Sequence, residues 1–238
     1  FNIPELLNIS PESAIILSVW MIGIIGSIYA IFGGLKAVAV SDTVNGIGLI
    51  IGGLAIPVLG FIYLGEGSMM KGIEYLFQHN PEKLNAIGSK DSQAPFGAAI
   101  TGMRIMAVYY WCTNQAIIQR ALGAKSLKEG QKGVLLTAFL KIIVAPLILV
   151  VPGIIAYNIY GNQISGDIVY PVLVNKLLPS KLSGFFGAVL FGAVLSSFNS
   201  ALNSASTIFS LNIYKPLFSP NISEKNLIKV SKYFGTGL

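Results

Sequence analysis

Residues 191–211, FGAVLSSFNSALNSASTIFSL, limit the possible folds more than any other stretch of the chain. The stretch is long enough and free enough of charge to cross a bilayer as an α-helix, at a rise of about 1.5 Å per residue. Several of its polar side chains nevertheless follow the spacing i, i+4, i+7, i+8 and i+11, which is one helical face. These residues, called the polar stripe below, are Ser196, Ser200, Asn203, Ser204 and Thr207.

Polar groups at membrane depth have to be satisfied by neighbouring helices, by water or by a bound ion. The polar stripe therefore has two interpretations. It indicates either hydrogen bonding between helices or a cation site, because hard cations, and by extension Na⁺, take oxygen ligands.

The composition of the chain is that of a membrane protein. Of its 238 residues, 53% are hydrophobic and 11% are charged, so we expect a multi-pass protein of the cell membrane (plasma or inner membrane) with the lipid bilayer as a partner. The net charge of +6 lies mainly in loops, and no basic run is interleaved with aromatic residues, which excludes nucleic acid as a partner. A single cysteine, Cys112, excludes an internal disulfide. The first and last residues predict a fragment of a longer polypeptide.

Five apolar segments predict five transmembrane helices in one membrane domain covering residues 1–238. The predicted spans are residues 13–32, 43–64, 96–119, 133–157 and 185–211. A glycine pair ends the first span, and a short turn holding Lys36 leads to the second. The loops at 33–42, 120–133 and 212–238 share one side of the membrane and carry most of the Lys and Arg, so the positive-inside rule makes that side cytoplasmic.

Two charged residues, Arg104 and Lys141, lie within these spans, and Asp42 lies at the inner end of the second span. An ionisable side chain inside a span costs at least about 2.5 kcal/mol and normally faces a wet cavity or a partner. Lys141 is therefore predicted to face a wet cavity or to pair with a carboxylate outside this chain. Arg104 is near enough to the end of its span to reach the interface. Asp42 is predicted to cap the second helix, and an acid at this end of the span would also attract a departing cation, so the two roles are compatible.

The third predicted span, the most irregular of the five, combines aromatic and amide side chains. Such a mixture in a broken helix suits a polar ligand with apolar faces, for example a sugar. The alternative is an aromatic belt at the inner membrane interface. The side chains concerned are Tyr109, Tyr110, Trp111, Thr113, Asn114 and Gln115.

Four blocks of sequence, in this order and spacing, resemble the sodium:solute symporter family and within it the sodium/glucose cotransporter branch. The resemblance extends over almost the whole chain. The blocks are YAIFGGLKAVAVSD (29–42), YYWCTNQAIIQRALGAKS (109–126), KGVLLTAFLKIIVAPLILVVPGIIAY (132–157) and AVLSSFNSALNSASTIFSLNIYK (193–215).

This resemblance implies an all-α polytopic fold, part of a five-plus-five inverted-repeat transporter that works by alternating access. It implies Na⁺ as the coupling ion, bound by the Ala193 carbonyl and by Ser196 and Ser197, with Asp42 on the sodium exit route. It also implies an inner gate at Tyr110, with Trp111 packed beside it, and a sugar-hydroxyl donor at Lys141. Where the better-known bacterial sugar carrier has a sugar-contacting amide, this chain has Ala107.

The expected function is sodium-coupled symport of a small polar solute, a sugar or a polyol. Two alternatives remain open: a symporter for a carboxylate, amino acid or vitamin, and a non-transporting membrane sensor with the same fold. A channel is not favoured, since no filter-like repeat or charged ring is present. An intramembrane enzyme is not expected either, because no two acidic residues share a span.

Overall fold

A computed structural model describes residues 3–92, 95–164 and 166–238, and the described residues form helices and turns without a strand. The helices are α1 (Ile3–Leu7), α2 (Pro11–Leu64), α3 (Met69–His79), α4 (Phe96–Ile100), α5 (Gly102–Val108), α6 (Gln115–Leu122), α7 (Leu127–Ala145), α8 (Val151–Tyr160), α9 (Val169–Leu177), α10 (Ser180–Ile208), α11 (Lys215–Phe218) and α12 (Glu224–Gly237). Short 3₁₀ turns lie at Pro81–Leu84 and Gly166–Ile168, and π-helical turns lie at Tyr109–Thr113, Pro146–Val150 and Phe209–Tyr214.

The chain divides into two compact units. Unit 1 comprises Phe1–Gly46, Asn114–Gly123 and Leu190–Leu238. Unit 2 comprises Ile47–Thr113 and Ala124–Val189. The candidate sodium residues and Asp42 belong to unit 1, whereas the candidate solute residues belong to unit 2.

In the described residues, four helical segments are long and apolar enough to cross a membrane. They overlap the first, second, fourth and fifth predicted spans. Many of their apolar side chains are exposed, among them Leu135 and Ile142 on α7. Such surfaces suit lipid or further helices and would be costly in water. The segments are Pro11–Tyr29, Lys36–Leu64, Leu127–Tyr160 and Leu182–Phe218.

The third predicted span differs from the other four, because none of the four candidate spans in the described residues overlaps it. It is divided into α4, α5, a π-helical turn and α6. The first break falls at Thr101, which has φ −101° and ψ −89°. The second falls at Asn114, an extended residue whose side chain accepts a 2.9 Å hydrogen bond from the Ala116 N–H and so caps α6. The irregularity predicted for this span is therefore present, but Asn114 is a helix cap.

Helix α2 is helical throughout its 54 residues but is not straight. A Cβ built on Gly26 would come within 2.6 Å of the Phe198 ring, and one built on Gly192 would come within 2.6 Å of the Asn45 side chain. Along a straight helix Gly26 and Asn45 would be about 28 Å apart, whereas the two α10 positions they face are about 9 Å apart. Helix α2 is therefore bent between residues 26 and 45.

The bend lies at the position of the turn that was expected at residues 33–42. A Cβ on Gly33 would lie only 2.9 Å from the Ala37 Cβ, whereas residues four apart in a regular helix have Cβ atoms about 5–6 Å apart. The expectation of a non-helical turn is nonetheless wrong, because the backbone keeps helical hydrogen bonding through this bend.

The core of unit 2 forms where α2, α3, α8, α9 and α10 meet. Glycines on α2 let the helices approach closely: a Cβ on Gly52 would overlap the Phe186 ring, and one on Gly60 would overlap Ile155. Small residues are used in this way at membrane helix interfaces, where packing replaces the hydrophobic effect as the source of association. The buried core residues are Ile56, Leu76, Ile154, Ile155, Ala156, Leu173, Val174, Leu178 and Phe186.

Candidate ion and solute sites

The three candidate sodium residues lie within two turns of α10. Ala193 and Ser196 are half-buried and Ser197 is exposed. The Ser197 hydroxyl donates a 3.1 Å hydrogen bond to the Ala193 carbonyl, so these two oxygens lie at the same place on the helix surface. A serine oxygen that donates its proton to the preceding turn keeps its lone pairs free to accept a cation.

Asp42 is part of a side-chain network that reaches the polar stripe. The Arg120 guanidinium forms a salt bridge with the Asp42 carboxylate and donates a 2.6 Å hydrogen bond to the Ser200 hydroxyl. The Ser200 hydroxyl in turn donates to the Ser196 carbonyl at 2.7 Å. The network therefore joins Asp42 to one of the candidate sodium residues through Arg120 and Ser200.

This network corrects two expectations from the sequence. Asp42 does not cap a helix, because α2 is helical on both sides of it. Arg120, which the sequence places among the cytoplasmic loop charges, lies in α6 and pairs with Asp42, 78 positions away. One signal was available, since Arg120 follows a predicted span directly and Asp42 directly precedes another.

A second polar face on α10 was missed by the sequence analysis. Asn199, Ser206 and Ser210 are buried together with Leu202 at the spacing i, i+3, i+7 and i+11, whereas the polar stripe is mostly half-buried. Ser210 donates to the Ser206 carbonyl at 2.6 Å. The Asn199 Oδ1 atom is buried and has no hydrogen-bond donor among the described residues. The regular spacing is a signal that could have identified this face.

No cluster of His, Cys, Asp or Glu suited to a metal ion occurs in the described part of the chain. An ion at the α10 serines would therefore be held mainly by neutral hydroxyl and carbonyl oxygens. Such donors suit a weakly hydrated monovalent cation better than a transition metal, which prefers nitrogen, sulfur or several carboxylates.

The three candidate solute residues come together in unit 2. Lys141 Nζ lies 4.3 Å from the centroid of the Trp111 ring and 5.7 Å from that of Tyr110. The two rings pack edge to face, with centroids 5.1 Å apart and an interplanar angle of 83°. An ammonium over aromatic faces gains about 0.5–2 kcal/mol, depending on its exposure to water. Among the described residues no carboxylate pairs with Lys141.

The π-helical turn Tyr109–Thr113 carries both aromatic rings of this site. A π-helical turn alters the register of a helix by a fraction of a turn and is common at functional sites. The side chains of Tyr110, Trp111 and Lys141 are exposed in the described structure, so they are open to a ligand or to other parts of the protein. The geometry thus places one cation and two aromatic faces at one point, which is suited to a polar solute with an apolar face.

The family model for the sodium:solute symporter family matches residues 5–234. The chain therefore belongs to the sodium:solute symporter family. Together with the four candidate spans, this makes it part of a multi-pass membrane protein, as expected from its composition.

Several relatives support the same conclusion. The chain is 52% identical over 235 residues to an uncharacterized symporter, YidK, of Escherichia coli K12, covering 99% of this chain and 41% of the relative. It is 33% identical to the human sodium/myo-inositol cotransporter 2, covering 88% of this chain and 35% of the relative. It is 33% identical to the sodium/glucose cotransporter of Vibrio parahaemolyticus, covering 86% of this chain and 42% of the relative. These relatives are named as transporters, in agreement with the expectation that the chain is not an enzyme.

The fold is similar to that of a solved Na⁺-coupled sialic acid symporter in its substrate-bound, outward-open state. The TM-score is 0.78 at 22% identity, covering 94% of this chain and 48% of the symporter. This likeness confirms the predicted fold class, an all-α part of an inverted-repeat transporter. The chain spans less than half the length of these relatives and of this structure.

Proposed function

We propose that the chain is part of a sodium-coupled symporter that carries a small polar solute, a sugar or a polyol, by alternating access. The observation that carries this proposal is the pairing of the Ser197 hydroxyl with the Ala193 carbonyl on a helix of membrane-spanning length. Its relatives named as sodium/glucose and sodium/myo-inositol cotransporters support both the ion and the class of solute.

In this mechanism Na⁺ binds to the Ala193 carbonyl and to Ser196 and Ser197. Each oxygen ligand replaces one water of hydration, and a buried site gains most from each ligand because water cannot replace a lost one. The inner membrane of a bacterial cell, or the plasma membrane, is the proposed location.

On its way to the cytoplasm the ion passes Asp42. The salt bridge with Arg120 makes this passage a competition between two cations for one carboxylate. The guanidinium is tethered and also bound to Ser200, so it returns to the carboxylate as the ion leaves. This arrangement supports a transient contact of Na⁺ with Asp42 and gives no support to a tight site there.

The solute binds at Tyr110, Trp111 and Lys141. A sugar ring stacks on an aromatic face, while an ammonium donates hydrogen bonds to ring hydroxyls. Tyr110 then acts as the gate beneath the solute and Trp111 packs beside it. Ala107 provides no side-chain amide, so the solute is one whose binding does not depend on an amide contact at this position.

A solute with a carboxylate is the second candidate. The observation in its favour is the ammonium of Lys141, which has no carboxylate partner in the described residues. A carboxylate would pair with it and would be held more tightly than a neutral hydroxyl.

Uptake by the full-length protein in proteoliposomes tests the proposal. The panel contains glucose, galactose, myo-inositol, sialic acid and a neutral amino acid, each measured with an inward gradient of Na⁺ or of K⁺. We expect uptake of a sugar or polyol only with Na⁺. Sodium-driven uptake of sialic acid alone would favour the second candidate, and equal uptake in Na⁺ and K⁺ would contradict sodium coupling.

A further inference from the structure

Helix α12 has two opposite faces of different character. The side chains of Leu227, Val230 and Phe234 are half-buried and point towards the rest of unit 1. The Phe234 ring is stacked on Phe209, with ring centroids 3.9 Å apart and an interplanar angle of 6°. The apolar face of α12 is therefore fixed to the end of the candidate span Leu182–Phe218.

Three lysines occupy the other face. Lys225, Lys229 and Lys232 recur at the spacing i, i+4 and i+7, so their side chains project from one side of the helix. On a helical projection this side lies almost 180° from the packed face. All three are exposed, and none is within 4 Å of a carboxylate in the described residues. These three residues are called the lysine face.

Exposed apolar side chains border the lysine face on both sides. Tyr233 is 77% exposed and Ile228 is 58% exposed. A helix that presents lysines flanked by large apolar side chains suits the boundary between headgroups and acyl chains, where the ammonium groups reach phosphates and the apolar groups enter the lipid.

The contact with Phe209 attaches this surface to the last ten residues of a candidate membrane span. Phe209 lies nine residues before the end of its span, and Phe234 is two residues beyond Lys232. With a rise of about 1.5 Å per residue, the lysine face is within about 15 Å of the level of Phe209 along α12. By the same rise, the end of the span lies about 14 Å beyond Phe209, which is about the same distance.

We propose that the lysine face of α12 binds the headgroups of anionic phospholipids in the membrane that holds the protein. Three ammonium groups without a protein carboxylate are complementary in charge to phosphodiester and glycerol or serine headgroups. The attraction of one lysine to an anionic membrane surface corresponds to about a fivefold gain in binding. The proposal depends on membrane insertion but not on which solute or ion the protein carries.

Native mass spectrometry of the full-length protein, titrated with phosphatidylglycerol or phosphatidylcholine in detergent, tests this binding. The test variant is Lys225→Gln combined with Lys229→Gln and Lys232→Gln. We expect phosphatidylglycerol to bind the wild type more tightly than phosphatidylcholine, and the variant to lose at least tenfold of that preference. Increasing the salt concentration weakens binding to the wild type, since exposed charges are screened.

Two further variants serve as controls. Changing the same three lysines to Arg retains the charge and should retain the preference for phosphatidylglycerol. Changing Lys71, Lys83 and Lys90 to Gln removes the same charge from unit 2 and should leave the preference intact. The proposal is overturned if the test variant keeps its preference, or if the unit 2 variant loses as much. It is also overturned if the test variant alone melts at a lower temperature in lipid-free detergent, because the lysines would then contact protein.

Discussion

Lys141 is held by aromatic rings in unit 2, and this contact determines what a substitution there would do. Its Nζ atom lies over Trp111 and near Tyr110, and it has no ion pair in the described residues. An ammonium in this position keeps N–H donors available on the side away from the rings. The contact with the rings is compatible with both predictions for Lys141, a ligand contact and an ion pair with a carboxylate outside this chain.

Replacing Lys141 by Ala should weaken solute binding by about 1.5–3 kcal/mol, the range for a hydrogen bond from a charged group, which is about 10- to 150-fold in Kd. Solute binding to the purified full-length protein measures this change. Expression and sodium binding should remain normal. The matched control is Lys132→Ala on the same helix, whose exposed ion pair with Glu129 contributes little. Normal solute binding by Lys141→Ala, or its failure to fold, would contradict this role.

The pairing of Asp42 with Arg120 is tested by a double-mutant cycle. Their side chains are 18% and 32% exposed, so water screens the pair only partly. Asp42→Asn and Arg120→Gln should each lower the free energy of unfolding, by about 1–3 kcal/mol, because each leaves a charged partner uncompensated. The double variant should lose less than the two single losses added together. Thermal or denaturant unfolding in detergent gives these values, and additive losses would show that the residues do not interact.

Among the helices of unit 1, α2 contacts α10 close to Ser196, one of the residues proposed to bind sodium. The contact at Asn45 and Gly192 lies one turn before Ser196, and the Asp42–Arg120–Ser200 network lies one turn after it. Ser196 is therefore held between two contacts of α10 with neighbouring segments. A change in the separation of these helices moves the candidate sodium ligands directly.

Gly192→Ala should raise the sodium concentration for half-maximal uptake and destabilise the protein by about 1–3 kcal/mol, the usual cost of overpacking. The added Cβ would come within 2.6 Å of the Asn45 Oδ1 atom, so the Asn45 side chain would have to move. Adding Asn45→Ala should restore sodium affinity by removing the clash. The matched control is Gly184→Ala on the same helix, where a Cβ meets nothing within 4 Å. Equal effects of the two alanines, or no rescue, would contradict this account of the contact.

For the whole molecule, the sequence predicted the long apolar segments that a bilayer requires. It missed the contacts between residues that are far apart in the chain. Four of the five spans predicted from hydropathy overlap long apolar helices in the described residues, and a polar stripe on α10 was visible in its spacing. The break at Thr101 depends on backbone angles that many sequences could adopt. The pairing of Asp42 with Arg120 joins positions 78 apart, and each charge also suited a loop. The buried amide of Asn199 was overlooked because serines dominated the pattern around it.

The sodium site is tested most directly by the sodium dependence of solute uptake in proteoliposomes containing the full-length protein with Ser197→Ala or Ser204→Ala. Ser197 shares its position on the helix surface with the Ala193 carbonyl, whereas Ser204 is buried two turns further on. Ser197→Ala should raise the sodium concentration for half-maximal uptake at least tenfold, which corresponds to about 1.4 kcal/mol or more. Ser204→Ala should change it little. Equal changes in the two variants would mean that these serines only hold helices together and that sodium binds elsewhere.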